Sequence, residues 1–398
     1  MLAIMRFILA GALAVLLASS AQDESGFVPL FNGRDLSGWV NVNCAPTTWT
    51  VRFDMIYSTG KPICELRTDR MFENFILELE YQHLDAQGNA GVFIWGDALT
   101  APGQPFVRAI EVQILDGRNT ENYTSHGDVF AIHGARMTPD RPHPGGWTRS
   151  LPSEHRARPA GEWNHYRITA QNGTIKLAVN GKEVSGGYDI SPRKGYLHLE
   201  SEGGRVLYRN LRVKELPAAS SLAPDQIAQA DTGFVPLYTG VDFSGWQYRK
   251  DHEGHWEAKD WTIAYDGGGE AAARTLRSEM VFGDVEIIAD WRWTNTRDAK
   301  TLPIWLDGVP LTSATQATIA RALATNPIAA ASNGWRRAVL TRREGRVSLV
   351  VDRQPVFDHL AVGPTGGRGG LVLQPQEGAA EFASLFVKTQ SSTRPPRP

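Results

Sequence analysis

Phe75-Ile76-Leu77-Glu78-Leu79-Glu80-Tyr81 alternates apolar and polar side chains, with Phe75, Leu77, Leu79 and Tyr81 on one parity. Successive strand side chains point to opposite faces, so this is a half-buried β-strand rather than a helix. Working outward, segments of similar length follow between clusters of Gly, Pro, Asn and Asp: Ala90 to Trp95, Glu111 to Leu115, Tyr166 to Ala170, Ile175 to Val179, Tyr196 to Glu200 and Val206 to Val213. Asn172-Gly173 and Asn180-Gly181 carry the dipeptide chemistry of tight hairpins. Beyond the apolar N-terminus, the one short helical candidate is Ala314 to Ala324. Regular short strands without long helices predict an all-β protein, a sandwich or jelly roll.

The chain also repeats itself. Gly26-Phe27-Val28-Pro29-Leu30 returns as Gly233-Phe234-Val235-Pro236-Leu237, and Gly33-x-Asp35-x-Ser37-Gly38-Trp39 returns as Gly240-x-Asp242-x-Ser244-Gly245-Trp246. Further anchors follow in order: Leu66-Arg67 with Leu276-Arg277, Trp163 with Trp335, and Gly195-x-Leu197-x-Leu199 with Gly369-x-Leu371-x-Leu373. An offset of domain length predicts duplication of a whole fold, not a solenoid. The expected plan is a first copy over residues 26–216, a linker over 217–232 rich in Ala, Ser and Pro, a degenerate second copy over 233–389, and a disordered tail over 390–398. The second copy lacks counterparts of Glu111 to Gly117 and Ser125 to Gly134, so function is expected in the first. A first copy taken alone is accordingly expected to keep all activity.

A net charge of −2 gives no electrostatic footprint for nucleic acid. Residues 1–21 read as a signal peptide: Arg6, an apolar run from Phe7 to Leu17, then Ser19-Ser20-Ala21. The expectation is an exported bacterial protein, periplasmic or extracellular, with no stable membrane insertion once the signal is removed. Its two cysteines, Cys44 and Cys64, are permitted to pair in an oxidising compartment and have no metal-ligand spacing. Oligomeric state is left open.

Alternation also assigns candidate chemistry. With Val112 and Ile114 facing the core, Glu111 and Gln113 share the other face, and Asp116 ends the strand. With Leu197 and Leu199 inward, His198, Glu200 and Glu202 face away. Gly91, Phe93 and Trp95 are expected outward, opposite Val92 and Ile94. Such an acidic, amide and aromatic face suits a carbohydrate: aromatic rings meet the apolar faces of sugars, and carboxylates and amides satisfy hydroxyls. A solvated strand face is the bland alternative. His126, His133, His143 and His155 crowd one loop-rich stretch. They leave room for acid–base or divalent-metal roles, without a short metal signature such as His-x-x-x-His.

Leu30-Phe31-Asn32-Gly33-x-Asp35-Leu36-x-Gly38-Trp39, Gly88-Asn89-x-Gly91-Val92-Phe93, Glu111-Val112-Gln113-Ile114-Leu115-Asp116, Gly161-Glu162-Trp163-Asn164-x-Tyr166-Arg167 and Arg209-Asn210-Leu211-Arg212-Val213 resemble, in this order, the 3-keto-disaccharide hydrolase domain family. The resemblance covers the whole first copy, and the second resembles a degenerate member. It implies a concanavalin A-like jelly roll that cleaves glycosides already oxidised at C3. Glu200-Ser201-Glu202-Gly203 stands where members of the family often carry Gln-x-His-Gly.

A C3 ketone acidifies the C2 proton. A base can then remove it, the C1 oxygen leaves by β-elimination, and added water completes net hydrolysis. Such a site needs a base, an acid, and a donor or metal for the enolate. The candidates are Glu111 or Glu200 as base and His133 or His126 as acid or enolate donor. Asn89, Gln113, Asp116, Arg136 and Glu202 would bind substrate, with Trp95 as stacking platform. No cofactor is certain, and a divalent metal is compatible. The alternatives are a paired-carboxylate glycoside hydrolase and a carbohydrate-binding or surface module without catalysis.

Overall fold

A computed structural model describes residues 25–116, 127–218, 221–295, 301–309, 311–325, 333–361 and 368–389. The expected signal, His126 and the C-terminal tail lie outside them. Over the described residues the chain is almost entirely antiparallel β-structure and builds two sandwiches. In the first, a nine-stranded sheet containing Phe75–His83 packs on a seven-stranded sheet. The seven strands run, side by side, Arg149–Ser150, Val129–Ile132, Ala109–Leu115, Asn89–Gly96, Tyr196–Ser201, Cys64–Thr68 and Trp39–Asn41. Between the sheets lies one core that takes in Leu77, Leu79, Val92, Ile114, Ile168, Leu177, Leu199 and Val213. All of these come from the inward parity of alternating segments. At both expected hairpins the Asn-Gly pair has positive φ, 50° and 75° at Asn172-Gly173, 47° and 86° at Asn180-Gly181. That geometry matches the right-handed twist of the flanking strands.

The second sandwich pairs an eight-stranded sheet with a sheet of only three: Leu276–Arg277, Leu371–Leu373 and Ile304–Leu306. Helix Ser313–Thr325 covers its core with Ile319 and Leu323, which matches the one helical segment expected. Cys44 and Cys64 form a disulfide, with Cα atoms 5.4 Å apart.

The segment read as a linker is strapped to the first sandwich. Ala98 N–H donates to Gln229 O (3.0 Å) and Ala228 N–H to Lys194 O (2.8 Å). Asp231 accepts from the buried guanidinium of Arg67 at 2.6 Å. Composition shows how little core such a segment can build, but not which backbone groups it will meet. No helix among the described residues is long and apolar enough to cross a membrane.

Candidate functional site

Strand register assembles the site on the outer face of the seven-stranded sheet. Arg149 pairs with Phe130, Phe130 with Glu111, Glu111 with Phe93, Phe93 with His198 and His198 with Arg67. The next row on that face runs Gln113, Gly91, Glu200, Glu65, because Gln113 pairs with Gly91, Leu199 with Val92, and Glu200 with Glu65. Gly91 is the gap in this row. A Cβ there would lie 2.7 Å from Glu200 Oε2 and 3.2 Å from Glu111 Oε1, so the two carboxyl groups close over the missing side chain.

Glu111 is 6% exposed and Glu200 1%. Burial pushes both carboxyls well above the ordinary 4.5; Glu202 pushes Glu111 further, and Glu111 and Glu202 push Glu200 further. Arg149, bonded to buried Asp128 at 2.7 Å, partly offsets this at Glu111. Glu202 is also raised by burial, with hydrogen bonds from Glu200 and Asn89 opposing the rise. Both Glu200 oxygens lack a donor among the described residues. Two carboxylates have only acceptors, so a Glu200–Glu202 bond exists only when one of them carries a proton. Burial and like charge together thus favour a proton held within the cluster.

An amide relay fixes its edge. Gln113 Nε2 donates to Asn89 Oδ1 at 2.6 Å, and Asn89 Nδ2 donates to Glu202. A second buried pair flanks it: His198 Nδ1 lies 2.5 Å from Glu65 Oε2, without hydrogen-bond alignment, and Glu65 Oε1 accepts from Val107 N–H at 2.6 Å.

Glu111, Glu200, Gln113, Asn89 and Glu202 are thus brought together as expected from alternation, and four other candidates are not. Trp95, expected outward as a platform, is buried in the core. A register shift between Tyr196 and His198, together with a φ of 55° at Trp95, breaks the alternation there. Its ring packs edge-on against Phe75 at 6.3 Å and its Nε1 donates to Glu73 O. Arg136 sits on an edge strand of the opposite sheet, largely exposed, 3.8 Å from Asp225. Asp116 has the parity of Ile114, accepts from Gln87 N–H (3.0 Å), and acts on the fields of Tyr81 and His83. His133 lies beyond the end of strand Val129–Ile132, beside Phe106, its ring separated from the carboxyl rows by Phe106 and Phe93. Burial lowers it to about 4, so near neutral pH it holds no imidazolium proton to donate.

Sequence reasoning missed Glu65, Asp128, Arg149 and Trp147. His198 was placed on the right face but given no role. Trp147 is 46% exposed and stacks on His143 with ring centres 4.6 Å apart, two residues before Arg149. It offers the open aromatic face that Trp95 does not. The available signal was the pairing of Arg149 with Phe130, which no local pattern reveals. Among the described residues no group of three or more His, Cys, Asp or Glu is arranged to hold a metal ion.

Residues 26–214 match the family model of the 3-keto-alpha-glucoside-1,2-lyase-like domain. A 3-keto-disaccharide hydrolase of Bacteroides thetaiotaomicron is 23% identical over an alignment covering 49% of this chain and 80% of that protein. Among solved structures, a candidate glycosyl hydrolase from Parabacteroides distasonis is 19% identical, with a TM-score of 0.37, covering 48% of this chain and 94% of that one. A β-glucanase of Bacillus licheniformis is 12% identical, with a TM-score of 0.31, covering 49% and 100%. Residues 26–214, which build the first sandwich, are thus similar to the 3-keto-alpha-glucoside-1,2-lyase-like domain.

Proposed function

We propose that this is an exported carbohydrate-active enzyme that cleaves 3-keto-glycosides at the carboxyl cluster of its first sandwich. The observation that carries the reading is the convergence of buried Glu111 and Glu200 around Gly91, with half-buried Glu202 held beside them by Asn89, all three raised above the ordinary carboxylate range. A binding-only module gains nothing from carboxyls held against their own charge, whereas an acid–base site needs groups poised near the working pH. Export is supported by the signal-like N-terminus and by the disulfide, which persists in oxidising compartments.

The cluster divides the labour. Glu111 is the more readily ionised, because Arg149 offsets part of its burial, and it acts as base on the C2 proton. The C2–H electrons form the C1–C2 double bond as the C1–O bond breaks. Glu200, deepest and without a donor, holds the proton that the leaving oxygen takes. Water then adds its oxygen to C1 and a proton to C2. Asn89 and Gln113 fix Glu202, which keeps the Glu200 proton directed. Trp147 stacks on the sugar beyond the cleaved bond.

The paired-carboxylate glycosidase is the second reading. One observation favours it: the two carboxyl oxygens lie within 2.7 and 3.2 Å of one point. That places them within about 6 Å of each other, near the spacing of retaining pairs. Incubation with a 3-keto-glucoside and with the unoxidised glucoside in deuterated water separates the two. Cleavage of the keto substrate alone, with deuterium at C2 of the product, supports elimination. Equal rates on both substrates would move the assignment to the glycosidase.

A further inference from the structure

The carboxyl face is roofed by one loop, residues 97–108, and the underside of that loop touches the site. Val107 N–H bonds Glu65 Oε1 (2.6 Å), and the Phe106 ring stands edge-on to Phe93 with centres 5.4 Å apart. The outer side of the same loop touches the second sandwich. Gly103 N–H donates to Asp290 Oδ2 (2.8 Å), Arg337 donates to Thr100 O (3.0 Å), and the Thr100 and Ser384 hydroxyls meet at 2.9 Å. Gly103 has a φ of +66°, and a Cβ there would lie 2.2 Å from Trp335 Cγ, so only glycine lets the loop seat on that indole.

A second contact reaches the site from below. Asp260 Oδ1 accepts from Ile63 N–H at 2.6 Å, one residue before the strand that carries Glu65, while Gly240 packs against Pro62. Pro62 O in turn accepts from the hydroxyl of Ser201, which lies between Glu200 and Glu202. Val42, Ala98, Leu99 and Tyr196 form an apolar seam with Ile288 and Phe386 between these contacts.

We propose that the second sandwich is a positioning element for the site on the first, holding the roof through Asp290, Arg337 and Trp335 and the Glu65 strand through Asp260. The energetics favour a fixed geometry. Asp290 is fully buried and gripped by both ends of the Arg337 guanidinium, at 2.7 and 2.8 Å. A buried ion pair contributes only when its remaining hydrogen-bonding capacity is filled. Here the partners that fill it are Gly103 N–H and Thr100 O, both from the roof. Catalytic carboxyls tolerate little misplacement, since a shift of about 1 Å can cost about 10²-fold in rate. The first repeat is therefore not self-sufficient, contrary to what the sequence alone suggests.

The test uses the full chain carrying Gly103→Val or Asp260→Ala, with Met280→Ser as an exposed control on the second sandwich. Two readouts are taken: amide hydrogen exchange over residues 99–107 and 63–66, and kcat and KM on a 3-keto-glucoside. The expected result is faster exchange in the stretch next to each substitution and a fall in kcat of about 10- to 100-fold. KM should stay within about threefold, and Met280→Ser should change neither readout. Asp260→Asn, which keeps the Oδ1 acceptor for Ile63, should restore both. Unchanged exchange in both variants, or faster exchange with full kcat, would overturn the proposal. The kcat readout rests on the activity proposed above. Should the wild-type chain turn over no 3-keto-glucoside, that reading fails, and exchange alone still decides whether the second sandwich holds the roof.

Discussion

The two sandwiches use one strand pairing for opposite ends. In the first, Glu200 pairs with Glu65 and His198 with Arg67, which puts like charges and an imidazole side by side in a buried row. In the second, Leu373 pairs with Leu276 and Val372 with Arg277, so the equivalent places hold Gln374 beside Thr275, joined by a hydrogen bond of 3.1 Å. The neutral pair satisfies itself, as a scaffold should. The charged pair does not, and that is the mark of a site.

The outer faces of the large sheets differ in the reverse sense. The first sandwich shows an ion-pair ladder there, with buried Glu78 between Arg167 and Arg212, and Glu80 held by Arg209. At the places matching Glu80 and His165, the second has Asp290 and Arg337, flanked by apolar Ile288 and Phe386. One sandwich carries the candidate site on its small sheet, and the other meets the first with its large sheet.

The sharpest way to break this comparison is to neutralise the charged row. Glu200→Gln and Glu111→Gln should each lower kcat on a 3-keto-glucoside by about 10²–10⁴-fold, the usual loss for an acid or base. Stability should move the other way. A carboxyl whose folded pKa is raised favours the fold below 4.5 and loses that contribution as pH rises through the folded value. Glu200→Gln should therefore melt close to wild type in acid and increasingly above it toward neutral pH. Retained turnover in a folded Glu111→Gln protein would return the face to an ordinary polar surface.

Next in size is the converse change in the scaffold. Gln374→Glu replaces the amide donor by a half-buried carboxylate to which the Thr275 hydroxyl can donate instead, and should destabilise the protein by about 1 kcal/mol at most, without creating activity at the second sandwich. Thermal melts and assays on the Glu111→Gln background check both parts. An effect of similar size is expected at the rim. Trp147→Ala should raise KM about fivefold, the equivalent of about 1 kcal/mol of aromatic contact, with kcat little changed. The smallest is His133→Ala, where separation from the carboxyls and a pKa of about 4 predict near-wild-type kcat and an unaltered pH profile between pH 6 and 8, a range about two pH units or more above that value. A tenfold fall in kcat would restore His133 to the acid role.

Alternation with a period of two was enough to find the strands, to place Glu111, Gln113 and Glu200 opposite the core, and to show which repeat keeps polar residues. It works because a strand buried on one face must present its apolar side chains on one parity. It failed at Trp95, where a register shift breaks the parity, whereas at Asp116 alternation itself gives the parity of Ile114, away from Glu111 and Gln113. Residue counting had no access to Arg149 over the Phe130 ring (3.8 Å), to Glu65 beside Glu200, or to Asp260 reaching Ile63 from nearly two hundred residues away.

The sequence by itself determined the all-β class, the hairpins and the polar face opposite the core, all of them consequences of local geometry and burial. The tertiary structure alone decided that the carboxyls of Glu111 and Glu200 meet over Gly91, that a loop covers them, and that the second sandwich grips that loop. Those depend on which strands become neighbours and how far a field or a hydrogen bond reaches across them, and distance in space is not written in the order of the chain.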